Sequence, residues 1–423
     1  MKQSLAVIGT GIAGMGAAYF LRDRFDISFF EKNDYPGGHT HTLTIKEGDK
    51  DVYIDSGFMV YNEKTYPNLT RLFKELDVTT KPTSMSFSVQ HIPSGLEYCG
   101  TGYAGLFAQP QNLFKSWFWK MLIEIESFRK HSVEVLDNDQ FTNHTIKEYV
   151  YSQGYSVHFL EKFLIPMSSA VWSTPADLMY NFPVVTLVRF FKNHGFLGLH
   201  TQLPWRTVTN GSRVYRDKIL AMFPQSVQLS NAAVRIYYER DKVIVLDQTG
   251  KKNAFDRVVI ATHADEALAL LGDPTPQEAS WLGAFRYQYN LATLHTDEAV
   301  MPKKRKAWSS WNYRIHQDAD GRFFPSTVYD MNSLQQVSDK RNYFISINGE
   351  GTFDNAKVLW QGKYTHPIYD SRAIRAQKDL PLLNQNRRRY FCGSYFRYGF
   401  HEDALSSALD VARLITGERI WAD

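Results

Sequence analysis

The stretch that most constrains this chain lies at its start: an apolar run, Ser4 to Ile8, then Gly9-Thr10-Gly11-Ile12-Ala13-Gly14, then a small-residue segment reaching Arg22. Strand, GxGxxG turn and helix in that order open a Rossmann-type unit. Each glycine has a separate task. Gly9 permits the tight turn, Gly11 lets backbone approach a diphosphate, and Gly14 lets the helix lie close to the sheet. The helix start at Ile12 and Ala13 offers free N–H groups and the positive end of its dipole to that diphosphate. A second apolar strand, Asp26 to Phe30, ends in Glu31 and Lys32. An acid about 20 residues past the first glycine is placed for ribose hydroxyls, and it disfavours a phosphorylated ribose.

The same start imitates a secretory signal, with Lys2 ahead of an apolar stretch, but four glycines at 9, 11, 14 and 16 would break an apolar helix there. No run approaches the roughly 18 apolar residues of a membrane span. Lys plus Arg number 48 against 44 Asp plus Glu, and a net charge of +4 is too small to point to nucleic acid. Only Cys99 and Cys392 occur, too few for a disulfide framework, which makes a reducing, cytoplasmic compartment the expectation. His39 and His41 alternate as on a strand without an acid or cysteine at ligand spacing, so no metal is expected and they are read as lining the cofactor crevice. Without GxSxG or HExxH, hydrolase chemistry lacks its starting residues.

The residues after Glu31 carry a resemblance. Glu31 to His39, with Gly37-Gly38, is similar to the E-x5-GG element of the flavin-containing amine oxidoreductase and phytoene desaturase superfamily. Asp55-Ser56-Gly57, followed by Phe58, resembles its D-x-G turn, and Trp205 to Ser212 its second glycine turn. Val258 to Thr262 looks like its V-V-I-A-T strand, and Arg389 to Leu414 its final strand, glycine turn and flavin-facing helix. The departures are His39, where many relatives carry Arg, and Ser394, where many carry an acid. The resemblance implies one non-covalent FAD, held by the groups already named together with Gly37, Gly38, His39, Gly57, Phe58, Val234, Ala261, Thr262, Gly393, Ser394, Phe400, His401 and Ala404. Ala404, Ser407, Ala408 and Ala412 share one face of the last helix, whose small side chains allow a close neighbour.

The fold class implied is α/β: a Rossmann-type FAD-binding domain assembled from discontinuous segments 1–60, 206–270 and 381–423, with an α+β substrate-binding domain from 61–205 and 271–380. Helices are expected over Tyr66–Leu76, Phe107–Arg129 and Ser156–Leu164. Strands are expected over Ser84–Val89 and Leu96–Cys99, with a hairpin over Arg235–Gln248 and a strand-rich region over 280–365. The aromatic residues of 107–122 beside Lys115 and Lys120 suit core packing, with peripheral contact at a membrane surface as the alternative. The runs Lys303–Lys306 and Arg387–Arg389 read as solvated loop or strand-edge charge.

Motifs such as GGHTHT and DSGFMVYNEKTYPN also resemble a bacterial subgroup of predicted NAD/FAD-binding proteins often encoded beside cyclopropane or methyl fatty-acid synthases. That likeness implies an apolar, modified fatty-acyl substrate losing hydride to flavin N5, in a desaturase-type reaction. A flavin amine oxidase is the alternative, and a flavin-dependent isomerase without net oxidation the third reading. The electron acceptor stays open. His401 and Glu402 are the candidate catalytic residues, being titratable and expected beside the isoalloxazine. Capping or packing is the competing role for His401, and a favourable charge in the first helical turn for Glu402.

Overall fold

The computed structural model describes residues 2–197, 203–317, 320–321, 323–385 and 388–421. Five parallel strands form one sheet in the order Val227–Gln228, Phe25–Phe30, Gln3–Ile8, Arg257–Ile260 and Arg389–Phe391. They come from three distant parts of the chain. Side chains alternate across the sheet: Leu5 and Val7 pack with the first helix, Ile12–Leu21, and the terminal helix, His401–Thr416, while Ala6 and Ile8 face the opposite core. The two helices touch at Gly16, where an added Cβ would lie 2.7 Å from Leu405 Cδ1 and 3.4 Å from the Ala408 Cβ.

The opposite core is continuous with a helical cap, joining Ile260 and Phe391 to Phe128, Phe159, Leu187 and Phe190. The hairpin Ala233–Glu239 and Lys242–Asp247, extended by Lys252–Phe255, covers the same side. A second, seven-stranded sheet forms the remaining layer, in the order Val358–Ile368, Arg286–His295, Phe344–Ile347, Phe323–Asp330, Trp311–Gln317, Phe87–His91 and Leu96–Cys99. The architecture is the α/β arrangement expected, with a mixed sheet and helical cap beside the parallel one.

Several local expectations change. The helix anticipated over Phe107–Arg129 is instead a short helix, Gly102–Leu106, a 3-10 turn, Pro110–Phe114, and a helix, Ser116–His131. Pro110 has no N–H to donate within a helix and starts the turn instead. The helix expected to end at Leu164 runs on to Trp172 through a π-turn at Leu160–Leu164, two residues before Pro166. The strand expected at Ser84–Val89 occupies Phe87–His91.

The triple-arginine run is not all solvated: Arg389 is only 1% exposed, bonded through both terminal nitrogens to Glu278 and Asp273. Burying a guanidinium requires such partners, and Glu278, itself buried, supplies two oxygens. Arg387 lies outside the described residues.

Candidate functional site

A cavity of about 780 Å³ runs from the first glycine loop to the second sheet. At its loop end Gly9, in the left-handed region at φ +93°, turns the chain, and an added Cβ would approach the Ala261 carbonyl oxygen to 3.1 Å. A Cβ on Gly11 would meet nothing within 4 Å, so backbone is open to the cavity there. One on Gly14 would lie 2.0 Å from the Gly9 carbonyl oxygen, so that glycine serves packing behind the loop. Gly9, Gly11, Ile12, Ala13, Glu31, Lys32, Gly38 and His39 all line this end.

Thr10, unassigned in the sequence reading, organises the loop. Its hydroxyl donates to Glu31 at 2.6 Å and accepts from the Gly37 N–H at 2.9 Å. Its own N–H and that of Asn33 also donate to the Glu31 carboxylate, at 3.0 Å each. The end of the second strand, the glycine loop and the Gly-Gly turn are thus one hydrogen-bonded unit. A hydroxyl at the second position of GxGxxG is the signal that could have found it. Gly37 and Gly38 both have positive φ, and a Cβ on Gly37 would lie 2.4 Å from the Thr40 carbonyl oxygen.

The separated motifs meet at Asp55. Its carboxylate accepts from the Ser212 N–H and hydroxyl, from Thr42 and from Gln335 Nε2. That ties the D-x-G turn to the second glycine turn, where Asn210 and Gly211 have φ +64° and +83°. A Cβ on Gly57 would sit 2.3 Å from the His39 carbonyl oxygen, which is why the turn needs glycine.

His401 lines the cavity at the start of the terminal helix. Its ring stacks on Phe58 with centroids 3.9 Å apart, and Nε2 bonds to the Tyr215 hydroxyl with Thr40 Oγ1 at 3.4 Å. Burial lowers its pKa to about 3, so the imidazole is neutral and a weak proton acceptor.

Glu402 departs from its expected place. It lies outside the cavity lining and accepts from the N–H groups of Asn68 and Leu69, both at 2.9 Å, at the start of the helix Pro67–Glu75. At i+1 from His401 its side chain leaves the helix on a different face, and it caps a neighbouring helix. Burial raises its pKa to about 7 and that of Asp403 to about 6. Asp403 accepts from the Phe400 and Tyr398 N–H groups.

Gly57, Phe58, Ala261, Thr262, Gly393, Ser394, Phe400 and Ala404 line the cavity, but Val234 does not: it is 47% exposed, and Ala232 and Ala233 stand at the wall. Strand alternation turns the Val234 side chain outward. His41 is also absent from the lining. It stacks on Tyr35 and bonds to Ser56 and Tyr364.

Sequence reasoning missed the wall contributed by the second sheet, chiefly Lys363 to His366, together with His263. The rings of His39 and His366 lie 5.3 Å apart, those of His39 and His263 6.2 Å apart. Burial lowers the pKa of all three, that of His366 to about 4. The Nε2 of His39 is buried without a hydrogen-bond partner. Among the described residues, no group of three or more His, Cys, Asp or Glu is placed to hold a metal ion.

Beyond this wall the cavity is lined by Met59, Met85, Trp205, Trp311, Tyr329 and Ile347. Its only lining carboxylates among the described residues are Glu31 and Glu266, both at the loop end, where Glu266 pairs with Lys32.

The fold is shared widely. It superposes on a putrescine oxidase bound to putrescine with a TM-score of 0.69 and 12% identity, covering 99% of this chain and 100% of that one. A CLA-producing fatty acid isomerase from P. acnes gives 0.67 and 13%, with 99% of each chain covered. In sequence, 164 residues are 27% identical to a 1-hydroxycarotenoid 3,4-desaturase of Flavobacterium sp. (strain P99-3), spanning 35% of this chain and about a third (32%) of that protein's length. The model of the family described as flavin containing amine oxidoreductase matches residues 12–333. That match covers well over half of the chain and includes Glu31, the Gly37-Gly38 turn, Asp55 and the second glycine turn, and the chain belongs to the flavin-containing amine oxidoreductase family.

Proposed function

We propose that this chain is an FAD-dependent oxidoreductase that takes a small organic substrate as a neutral molecule, an amine free base before an acyl chain. The observation carrying this reading is the division of the cavity. Its carboxylates stand at the loop end, and the lobe of methionine and aromatic side chains has none. The loop end fits the cofactor. Gly11 backbone and the first-turn N–H groups would hold the diphosphate, and Glu31, already aligned by Thr10 and Asn33, the ribose. Bound FAD supplies the hydride acceptor. The lobe excludes water and orients the reacting C–H bond, and an ammonium entering it must shed its proton because no carboxylate pairs with it.

The family's amine oxidoreductases support amine oxidation as first reading. The carotenoid desaturase match and the apolar lobe favour acyl desaturation second. The deciding experiment mixes FAD-loaded protein anaerobically with cyclohexylamine, benzylamine and oleoyl phospholipid, following the oxidised flavin band. Bleaching by an amine supports the proposal; bleaching by the lipid alone reverses the ranking. Turnover without accumulated reduced flavin would indicate an isomerase.

We also propose that the cap face touches an anionic bilayer surface. Phe114, Tyr103 and Ile123 are 89%, 84% and 68% exposed, and the sequence from Tyr98 to Ile123 contains lysines but no carboxylate. The exposed basic turn Lys303–Lys306 packs on the same face, where a Cβ on Gly105 would lie 3.3 Å from the Lys306 carbonyl oxygen. Aromatics flanked by cations suit a headgroup boundary. Among the described residues no helix is long and apolar enough to cross a membrane. Co-sedimentation with phosphatidylglycerol vesicles, lost in Phe114→Ser/Ile123→Ser, is the expected result; equal sedimentation of that variant, or none by the wild type, overturns it.

A further inference from the structure

Three amide side chains from the second sheet and its loops meet behind His366. Asn290 Nδ2 lies 2.7 Å from His366 Nδ1, and Asn290 Oδ1 lies 3.1 Å from Gln288 Nε2 and 2.7 Å from Asn348 Nδ2. The orientation of each amide follows from the backbone groups at the edges of the network. Gln288 contacts the Ser173 carbonyl, which can only accept, so that atom of Gln288 is its NH2. Asn348 contacts the Leu291 N–H at 2.9 Å, which can only donate, so that atom of Asn348 is its carbonyl oxygen. Both outer amides therefore present N–H groups to the same atom of Asn290, which must be its oxygen. Its nitrogen is left to face His366, and it donates to Nδ1.

A ring nitrogen that accepts carries no proton. His366, neutral through burial and its neighbour His263, is thus fixed as the Nε2–H tautomer. The residue lines the cavity, and its Nε2 has no partner among the described residues. His39, whose ring lies 5.3 Å away, joins the Gly-Gly turn, so this donor stands between the loop end and the apolar lobe.

We propose that His366 is the cavity's fixed neutral hydrogen-bond donor, holding a lone-pair acceptor atom of the bound ligand, and that Asn290 is the positioning residue that sets its tautomer. The proposal rests on the flavin-dependent reading for the ligand, but the tautomer stands apart from it. The acceptor is a nitrogen or oxygen of the isoalloxazine, or one of the substrate. A neutral donor suits either. It grips a lone pair without adding a buried charge, and a protonated histidine pair here would repel.

The test is ¹⁵N NMR of histidine-labelled, FAD-loaded protein, with apoprotein alongside. The expected result is a protonated Nε2 and an unprotonated Nδ1 for His366. Asn290→Asp keeps the shape and replaces the donor with an acceptor, so Nδ1 should gain a proton. If the acceptor is on the cofactor, the Nε2–H resonance shifts on loading with FAD, and His366→Phe weakens FAD about tenfold while His366→Gln stays within about threefold. If it is on the substrate, FAD affinity is unchanged and the resonance shifts on adding cyclohexylamine or decanoate. A protonated Nδ1 in the wild type refutes the tautomer. A resonance that responds to none of these ligands refutes the binding role, and FAD binding with a normal flavin spectrum in that case leaves the proposed function standing.

Discussion

Replacing Glu402 separates a cap from a catalytic acid. Its two oxygens each accept one N–H, from Asn68 and Leu69, at the start of Pro67–Glu75. Glu402→Ala strands both donors, at about 1–3 kcal/mol for each buried group, so after partial rehydration the cost should be about 2–4 kcal/mol. Glu402→Gln keeps one acceptor and should cost about half. The pH dependence has a definite sign. The unfolded carboxyl releases its proton near its ordinary value of 4.5, whereas the folded one holds it to about 7. Across that window the native state binds more protons, so Glu402 makes stability fall as pH rises, by up to about 3 kcal/mol, with no further change above it. Asp403, raised to about 6, contributes in the same direction over a narrower range. Urea unfolding at pH 5, 6 and 8, with anaerobic flavin reduction per bound FAD, should show lowered stability in Glu402→Ala, a shallower pH slope in Glu402→Gln and reduction rates within about threefold of wild type. An unchanged urea midpoint together with a collapse in flavin reduction would refute the capping role and restore the catalytic one.

The loop glycines should fail differently. Gly11→Trp projects into open space and should give a folded, colourless protein, whereas Gly14→Ala meets the Gly9 carbonyl and should lower the urea midpoint; a yellow Gly11→Trp protein would move the diphosphate elsewhere. Arg389→Ala leaves Glu278 buried and unpaired and should cost about 3–5 kcal/mol in urea unfolding, while the paired change Arg389→Met/Glu278→Gln should recover much of it. A loss below about 1 kcal/mol would contradict the buried pairing. For any amine that bleaches the flavin, kcat/KM should rise about tenfold per pH unit below the amine's own pKa, as the free base increases; a flat profile would mean the lobe accepts the cation.

The parts of the fold readable in advance were those whose physics is local. The strand, turn and helix around Gly9 to Gly14 announce themselves because only glycine tolerates the close approaches found there. The Asp55 and Gly211 turns were recognisable one at a time, but nothing in either motif reveals that one carboxylate joins them across 157 positions. The aromatic spacing after Phe107 suggests one helix, but Pro110, with no N–H to donate, starts a 3-10 turn that separates the helices on either side. Glu402 misled for a related reason. Proximity in sequence to a flavin-facing helix start says little about which face a side chain leaves by, and one step of 100° sent it to another helix. Lys363 to His366 carry no motif at all, since a strand in a mixed sheet shows only alternation.

That last gap is chemically the most consequential, because it hides how charge is arranged along the cavity. The negative groups that line it, Glu31 and Glu266, gather where backbone N–H groups and Lys32 face them. Moving inward come histidines whose burial opposes protonation: His401 enclosed by Phe58 and Tyr215, and His366 and His263 in the wall, where a charge on His263 would further disfavour one on His366. Farther still, the lining is methionine and aromatic. A cationic ligand end therefore meets a carboxylate only at the loop, Lys363 adds one cation at the wall, and a reacting carbon in the inner lobe meets dipoles and apolar surface. Such a gradient costs little when the charged half of the ligand is a permanent tenant and the variable half is neutral. It orients any molecule carrying both, and it selects substrates by what they lack, a fixed charge near the reacting bond.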